Sequence, residues 1–282
     1  MIYIEPFGGL ANRMRVIASG LWLKEKMKTE LTIIWKQTDE LNCPFNELFQ
    51  SSELFKVRSK KRFEYQIKSS YGNLKTQLVN KLLGIDLCLT DSDLHQHVFS
   101  GDADILGLVK TKKNIYIQTC QDFSKSKSYY QYLLPTDSLK KRIDKTVEKF
   151  NNYTVGIHIR RTDNEMSIQN SPLQLFVDKM LAEKIVNPLS TFFLCTDDPS
   201  VEEVIVGRFG KDIIVNTQIR DRKSISGMQD ALIDLYCLAN APKIFGSYWS
   251  SFSEIAAKIY NSQLFTLKKN HQLDSNDNPF LH

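Results

Sequence analysis

The apolar positions of this chain fall into two regimes. IYIE, residues 2 to 5, is a short β-rich run followed by Gly8-Gly9 and a helical pattern from Ala11 to Lys26, which predicts strand, glycine turn and helix in that order. LTIIW, residues 31 to 35, reads as the next buried strand. From Asp39 to about Ser128 the pattern loosens, with Asn- and Ser-rich breaks, a basic run from Lys56 to Arg62 and a strand-like NIYIQT at 114 to 119. The second half is more regular. TVGIHI (154 to 159), TFFLC (191 to 195), DIIV (212 to 215) and KIFG (243 to 246) are apolar runs separated by amphipathic helical stretches, the signature of a parallel α/β sheet. A helix from about Thr136 to Phe150, opened by Pro135, joins the halves. The domains are therefore expected at 1–135 and 136–282. The tail from Asn270 to Asn278 is polar enough to be loop or disorder.

Composition narrows the function classes. With 282 residues, 42% of them apolar, the chain can bury a substantial core. A net charge of +5 is too small and too dispersed for a dedicated nucleic-acid binder. The five cysteines, Cys43, Cys88, Cys120, Cys195 and Cys237, form neither a disulfide framework nor a CxxC motif, which suits a reducing compartment. No stretch reads as a signal peptide or approaches the ~20 apolar residues of a membrane span, so the expected location is cytoplasmic. The basic run from Lys56 to Arg62 is expected to be a solvated face, with peripheral contact to an anionic acceptor or membrane surface left open.

Five segments carry candidate chemistry. His158-Ile159-Arg160-Arg161-Thr162-Asp163 ends a predicted strand, where open α/β sheets place their ligand crevice. Strand alternation puts His158 and Arg160 on one face, and Arg160 offers planar, bidentate donors suited to phosphoryl oxygens. The plainer account is an Arg161–Asp163 surface ion pair. Cys195-Thr196-Asp197-Asp198-Pro199 ends a second strand. Thr196 or Asp198 can cap the following helix, and Asp197 can accept from a guanine or a ribose. Asp230 and Asp234 share one helical face at i, i+4 spacing, which calls for a cation or donors nearby. The run Ser247 to Ser253 leads into a helix whose N-H groups, with Ser250 and Ser251, make a ready anion site, although a Ser N-cap explains part of it. At the N-terminus, Gly8-Gly9 with Asn12 and Arg13 allows close backbone approach to a ligand, or is a plain tight turn.

HIRRTD, then FLCTDDPS, then D-x7-P-x-x-F-G-S-x-x-SSF, resembles the three donor-site motifs of the α1,6-fucosyltransferases and rhizobial nodulation fucosyltransferases, in the same order. The opening GGLANR is similar to the glycine and asparagine loop of the α1,2- and protein O-fucosyltransferases. The resemblance covers residues 154 to 260 and, more thinly, the first 20. It implies a GT-B architecture, two Rossmann-like domains facing a central cleft, with the N-terminal one on the acceptor side. It further implies GDP-fucose as donor substrate, a glycan hydroxyl as acceptor, inversion at the anomeric carbon, and neither metal nor cofactor. Carried over by motif, Arg160 holds the β-phosphate, with Arg161 among the donor contacts, His158 lies against the donor, Asp197 or Asp198 and Asp234 surround the nucleotide, and Ser250 and Ser251 bind pyrophosphate or fucose. Gly8, Gly9, Asn12 and Arg13 complete the donor-contact set. The sequence departs from the α1,6 pattern after Asp163, where Asn164 replaces a lysine and Glu165 follows at once rather than several residues later. Glu165, then Asp163, are the candidate bases.

Two other function classes remain in play. A metal-dependent glycosyltransferase using another nucleotide sugar needs an Asp-x-Asp after a buried strand. The segment Ile85 to Asp93 supplies Asp91 and Asp93, which His95 and His97 extend at period two. Asp102-Ala103-Asp104 is a second such string. The other class is a non-catalytic nucleotide-sugar or glycan-binding protein that kept the donor contacts and lost its base.

Overall fold

Continuous apolar strands with helices between them can bury both faces only as a parallel sheet, and the chain builds two such sheets. The computed structural model describes residues 1–101, 104–124, 129–216, 219 and 221–269. The expectation for the tail at 270–278 lies outside the described residues, as do Asp102 and Ala103. The chain divides into two compact units, Met1–Leu134 with Arg222–Ile225, and Pro135–Asp221 with the chain from Ser226.

The first unit runs β1 (Ile2–Pro6), α1 (Leu10–Met27), β2 (Leu31–Ile34), β3 (Lys56–Arg58), α2 (Leu74–Leu82), β4 (Leu87–Thr90), α3 (Asp91–Leu94), α4 (Ile105–Val109) and β5 (Ile115–Thr119). Its strand order is β3-β2-β1-β5-β4, all parallel. Ile2 and Ile4 point to the α1 side, where Gly20 lets the helix approach: a Cβ there would sit 3.0 Å from Ile4. Tyr3 and Glu5 take the opposite face.

That opposite face corrects the reading of the basic run. Lys56 to Arg58 is an edge strand, and two cations of the run, Arg58 and Lys60, are held in ion pairs. Lys60 Nζ lies 2.7 Å from the buried carboxylate of Glu5, which also accepts from Tyr116 at 2.6 Å. Arg58 forms a two-pronged pair with the buried Glu64. A charge string on an edge strand was read as surface because its acidic partners lie 55 and 6 residues away.

The second unit runs α5 (Asp137–Val147), β6 (Thr154–Ile159), α6 (Glu165–Asn170), α7 (Leu173–Val186), β7 (Thr191–Thr196), α8 (Pro199–Phe209), β8 (Ile213–Ile214), α9 (Ile225–Ala239), β9 (Lys243–Ser247), α10 (Ser251–Tyr260) and β10 (Gln263–Leu267). Its order is β10-β9-β6-β7-β8, again parallel. Renumbered from its own first strand this is 5-4-1-2-3, the doubly wound order of a Rossmann half. Val155, Ile157, Ile159, Phe192 and Leu194 form its core with Phe176 and Met180 of α7, each buried side chain worth about 1.5–3 kcal/mol. The chain reverses direction across the sheet between β6 and β9, so the crevice expected at a switch point falls at their C-terminal ends.

Candidate donor-phosphate site

β6 ends on Ile159, and the next residue turns on a hydrogen bond from its own N-H: Arg160 donates to Ser247 Oγ at the end of β9, 3.0 Å away. This bond spans the switch point and sets the HIRRTD and SYWSSF loops side by side. Ser247 Oγ also donates to the His158 carbonyl.

The Arg160 guanidinium is held between two carboxylates, with Nε 3.0 Å from Asp197 Oδ2 and an Nη on Asp163. Its side chain is 19% exposed, so the charge is within reach of a ligand yet already compensated. Arg161 faces elsewhere: its Nη atoms donate to the carbonyls of Arg160 at 3.0 Å and Ser171 at 2.6 Å. Burial lowers its pKa, partly opposed by Asp197 and Asp198. The two adjacent arginines thus divide, Arg160 available to an anion and Arg161 bracing the loop. The ion pair to Asp163 is made by Arg160, not by Arg161 as the plainer sequence account had it.

Asp197 organises that loop. It accepts from the backbone N-H of Arg161 (2.7 Å), from Thr162 Oγ1 (2.8 Å) and from Arg160 Nε. Both oxygens are therefore occupied from within the chain. Asp198 caps α8, accepting from the Ser200 N-H at 2.9 Å and its hydroxyl at 2.8 Å, and these bonds hold its pKa below the usual carboxylate range. The donors called for by the Asp230–Asp234 spacing are present. Arg142 and the Ile219 N-H meet Asp230 at 2.5 and 2.8 Å, and Asn216 Nδ2 meets Asp234 at 2.8 Å.

His158 is buried, stacked on Phe252 with ring centroids 4.8 Å apart, and its Nδ1 has no hydrogen-bond partner among the described residues. Burial pushes its pKa down to about 3, with Arg160 adding to the effect and Asp197 opposing it, so the ring is neutral. The sequence put His158 and Arg160 on one face. The structure adds Phe252 of α10 as the surface against which the imidazole rests.

α10 begins with Ser250 as N-cap, making no side-chain cap bond, and Ser251 is half-buried at its first turn. A ten-residue helix leaves N-H groups at that end without intrahelical partners, beside the β9 loop. Trp249, just before, takes a left-handed φ of 57°. Its carbonyl accepts from Asn164 Nδ2 at 2.7 Å, while Ser167 Oγ donates to the Tyr248 carbonyl at 2.5 Å. Asn164 also caps α6. The two loops are therefore tied by Asn164, Ser167 and Ser247, braces that the sequence motifs did not single out as site residues; polar residues facing a neighbouring loop look like ordinary caps until the loops are brought together. Asp163 and Glu165 are exposed, and Glu165 lies in the first turn of α6, making no ion pair or hydrogen bond among the described residues.

In the first unit, Gly8 has φ of 81°, and a Cβ there would meet Asn12 Nδ2 at 2.8 Å; Gly9 is the N-cap of α1. Arg13 is fully buried and spends its guanidinium on the Gly8 carbonyl (2.8 Å), the Lys36 carbonyl (2.5 Å) and Thr38 Oγ1 (2.8 Å), stacked 4.9 Å from Trp35. Burial lowers its pKa to about 10. Arg13 shapes the glycine turn, whereas Asn12 Oδ1 is buried without a partner among the described residues.

The metal-ligand alignment of Asp91, Asp93, His95 and His97 does not form. β4 stops at Thr90 and the four residues lie on helical turns, so they lose the period-two spacing of a strand. Asp91 accepts from Thr119 Oγ1 and the Cys120 N-H, while Asp93 closes a capping box with Thr90 and accepts from Ser69. These carboxylates are used to build the turn. No cluster of three metal-ligating side chains occurs among the described residues.

No protein-family model and no curated protein sequence matches the chain. Solved structures do. The fucosyltransferase NodZ from Bradyrhizobium superposes with a TM-score of 0.67 at 18% identity, over 97% of each chain. NodZ α1,6-fucosyltransferase co-crystallised with GDP gives 0.66 at 19%, again over 97% of each. A point mutant of Arabidopsis thaliana FUT1 in complex with GDP gives 0.63 at 14%, over 94% of this chain and 69% of that one. POFUT1 in complex with GDP gives 0.54 at 13%, over 93% and 94%. At these identities the likeness is one of fold: the chain's two parallel-sheet units fit the Rossmann-like GT-B fold that these fucosyltransferases share.

Proposed function

We propose that this protein is a glycosyltransferase that moves fucose from GDP-fucose to a glycan hydroxyl, inverting the anomeric carbon, with no metal and no cofactor beyond the donor. The observation that carries the reading is the hydrogen bond from the Arg160 N-H to Ser247 Oγ across the β6–β9 switch point, which ties the arginine loop to the loop leading into α10, on a fold whose solved neighbours hold GDP. Arg160 exchanges one or both of its carboxylates for diphosphate oxygens, to which a guanidinium can donate in bidentate fashion. The α10 N-H groups and the Ser250 and Ser251 hydroxyls take the remaining phosphate charge as the leaving group departs, the part a divalent ion plays elsewhere. His158, neutral and apolar in its surroundings, presents an imidazole edge without adding charge. Asp163 and Glu165 are the carboxylates near enough in sequence to this loop to take the acceptor proton. A cytoplasmic location suits five unpaired cysteines.

The test is transfer of fucose from labelled GDP-fucose to a glycan array, in EDTA. Arg160→Ala should lower turnover by about a hundredfold or more, as loss of one preorganised donor does in comparable sites. Arg160→Lys should recover only part of it. Near-normal transfer by a folded Arg160→Ala protein, or activity that requires manganese, overturns the reading.

A further inference from the structure

α2 is built inside out. Asn73 caps it, accepting from the Thr76 N-H at 3.0 Å, and the residue it buries most deeply is polar: Asn80, 2% exposed, whose amide pairs with both the carbonyl and the N-H of Lys68 at 2.7 and 3.3 Å. Leu83, just past the helix, packs beneath it against Ile34, Ile67 and Tyr116. This anchoring turns Leu74, Leu78 and Leu82 outward, at i, i+4 and i+8 on one stripe, with exposures of 77%, 63% and 86%. An amphipathic helix normally buries such a stripe. Here Lys75 and Lys81 flank it, and Lys61, Arg62 and Lys68 precede it in the same stretch of chain. All five cations are exposed, and among the described residues none makes an ion pair, unlike Arg58 and Lys60. No acidic residue lies between Tyr65 and Ile85.

We infer that α2 and its basic approach form a docking surface for an anionic phospholipid bilayer, with the three leucines entering the headgroup and acyl boundary and the five cations meeting lipid phosphates. Leucines bracketed by lysines on a short helix are what interfacial binding needs, because apolar insertion and charge attraction add. A purely apolar stripe would suit a protein partner equally; the exposed positive charge around this one, with no acidic residue between Tyr65 and Ile85, selects an anionic surface. No described helix is long and apolar enough to cross a membrane, so the contact is peripheral. The inference stands apart from the donor chemistry and depends only on the first unit's surface.

Co-sedimentation of the full chain with vesicles tests it. Binding should be strong to phosphatidylcholine vesicles containing about a third phosphatidylglycerol, weak to phosphatidylcholine alone, and reduced at least fivefold when salt shortens the Debye length to about 3 Å. Leu78→Glu and the pair Lys75→Glu with Lys81→Glu should each lower binding at least about fivefold. Ile185→Glu, at an exposed apolar position of α7, should leave it unchanged. Absence of binding to anionic vesicles overturns the proposal, as does equal loss in Ile185→Glu. So does sedimentation showing a dimer that Leu78→Glu dissociates without any effect on lipid, which would assign the stripe to a second copy of the chain.

Discussion

Arg160 satisfies its charge with Asp163 and Asp197, so under the proposed function diphosphate would displace a carboxylate. Asp197 is also held by the Arg161 N-H and Thr162, and Asp163 is exposed, so Asp163 is the one that yields. This separates the two candidate bases experimentally. Asp163→Asn should tighten GDP binding several-fold by removing the competitor, read by titration calorimetry, and should spare turnover if Glu165 is the base. Glu165→Gln should then cut kcat at least tenfold with GDP affinity nearly unchanged. The opposite pattern in kcat moves the base to Asp163. His158 supports a pH prediction. Its folded pKa of about 3 lies below its ordinary 6.5, so the unfolded chain binds the extra proton between those values. The neutral ring's contribution to stability is complete above pH 6.5 and is lost as pH falls toward 3. Denaturant midpoints of His158→Gln should therefore vary less with pH across that window than those of the parent protein, and identical slopes would refute the assignment.

At the scale of elements, the site depends on how closely α10 lies on β9. A Cβ on Gly246 would stand 2.5 Å from Ser253 Oγ and 2.7 Å from its Cβ, and that Ser253 hydroxyl donates to the Ser250 carbonyl. Gly246→Ala must push the first turn of α10 away from the strand. A loss of about 1–3 kcal/mol is expected, seen as a lower Tm, together with weaker GDP binding. A variant that loses stability but binds GDP normally would detach the α10 terminus from the site. Much of this unit was legible beforehand, since β6, β7 and β9 are uninterrupted apolar runs ending in polar residues. β10 was not, because Gln263–Leu267 is half-exposed at an edge and lacks a strong pattern. In the first unit, β3 was hidden by its own charges and β4 by the aspartates that follow it, of which Asp91 accepts from the end of β5 and Asp93 caps the next turn. Among candidate site residues, the placement of His158 and Arg160 at the end of β6 and the Asp198 cap could be read from strand position and spacing. The structural duties of Arg13, Arg161 and Asp197 could not, since a buried arginine and a ligand-binding one look alike until the carbonyls that receive them are placed.

Across the whole chain the two sheets differ in one exchange of strands. Counted from its own first strand, the second unit has the order 3-2-1-4-5, whereas the first has 3-2-1-5-4. Among the described residues β4 therefore has β5 as its only strand neighbour, and β5 joins it to β1. Pulse-labelled hydrogen exchange during refolding should show the amides of Leu87–Thr90 gaining protection no earlier than those of Ile115–Thr119, although they come first in sequence. Earlier protection of β4 would contradict this order. The same exchange has a consequence for synthesis. On the ribosome β1 emerges first and finds β2 after about 30 residues, but its other edge stays open until Ile115 pairs with Ile2. A nascent chain stalled short of that point carries a central strand with one edge unpaired. The stretch of translation before β5 appears is thus an interval in which that open edge is available for mispairing.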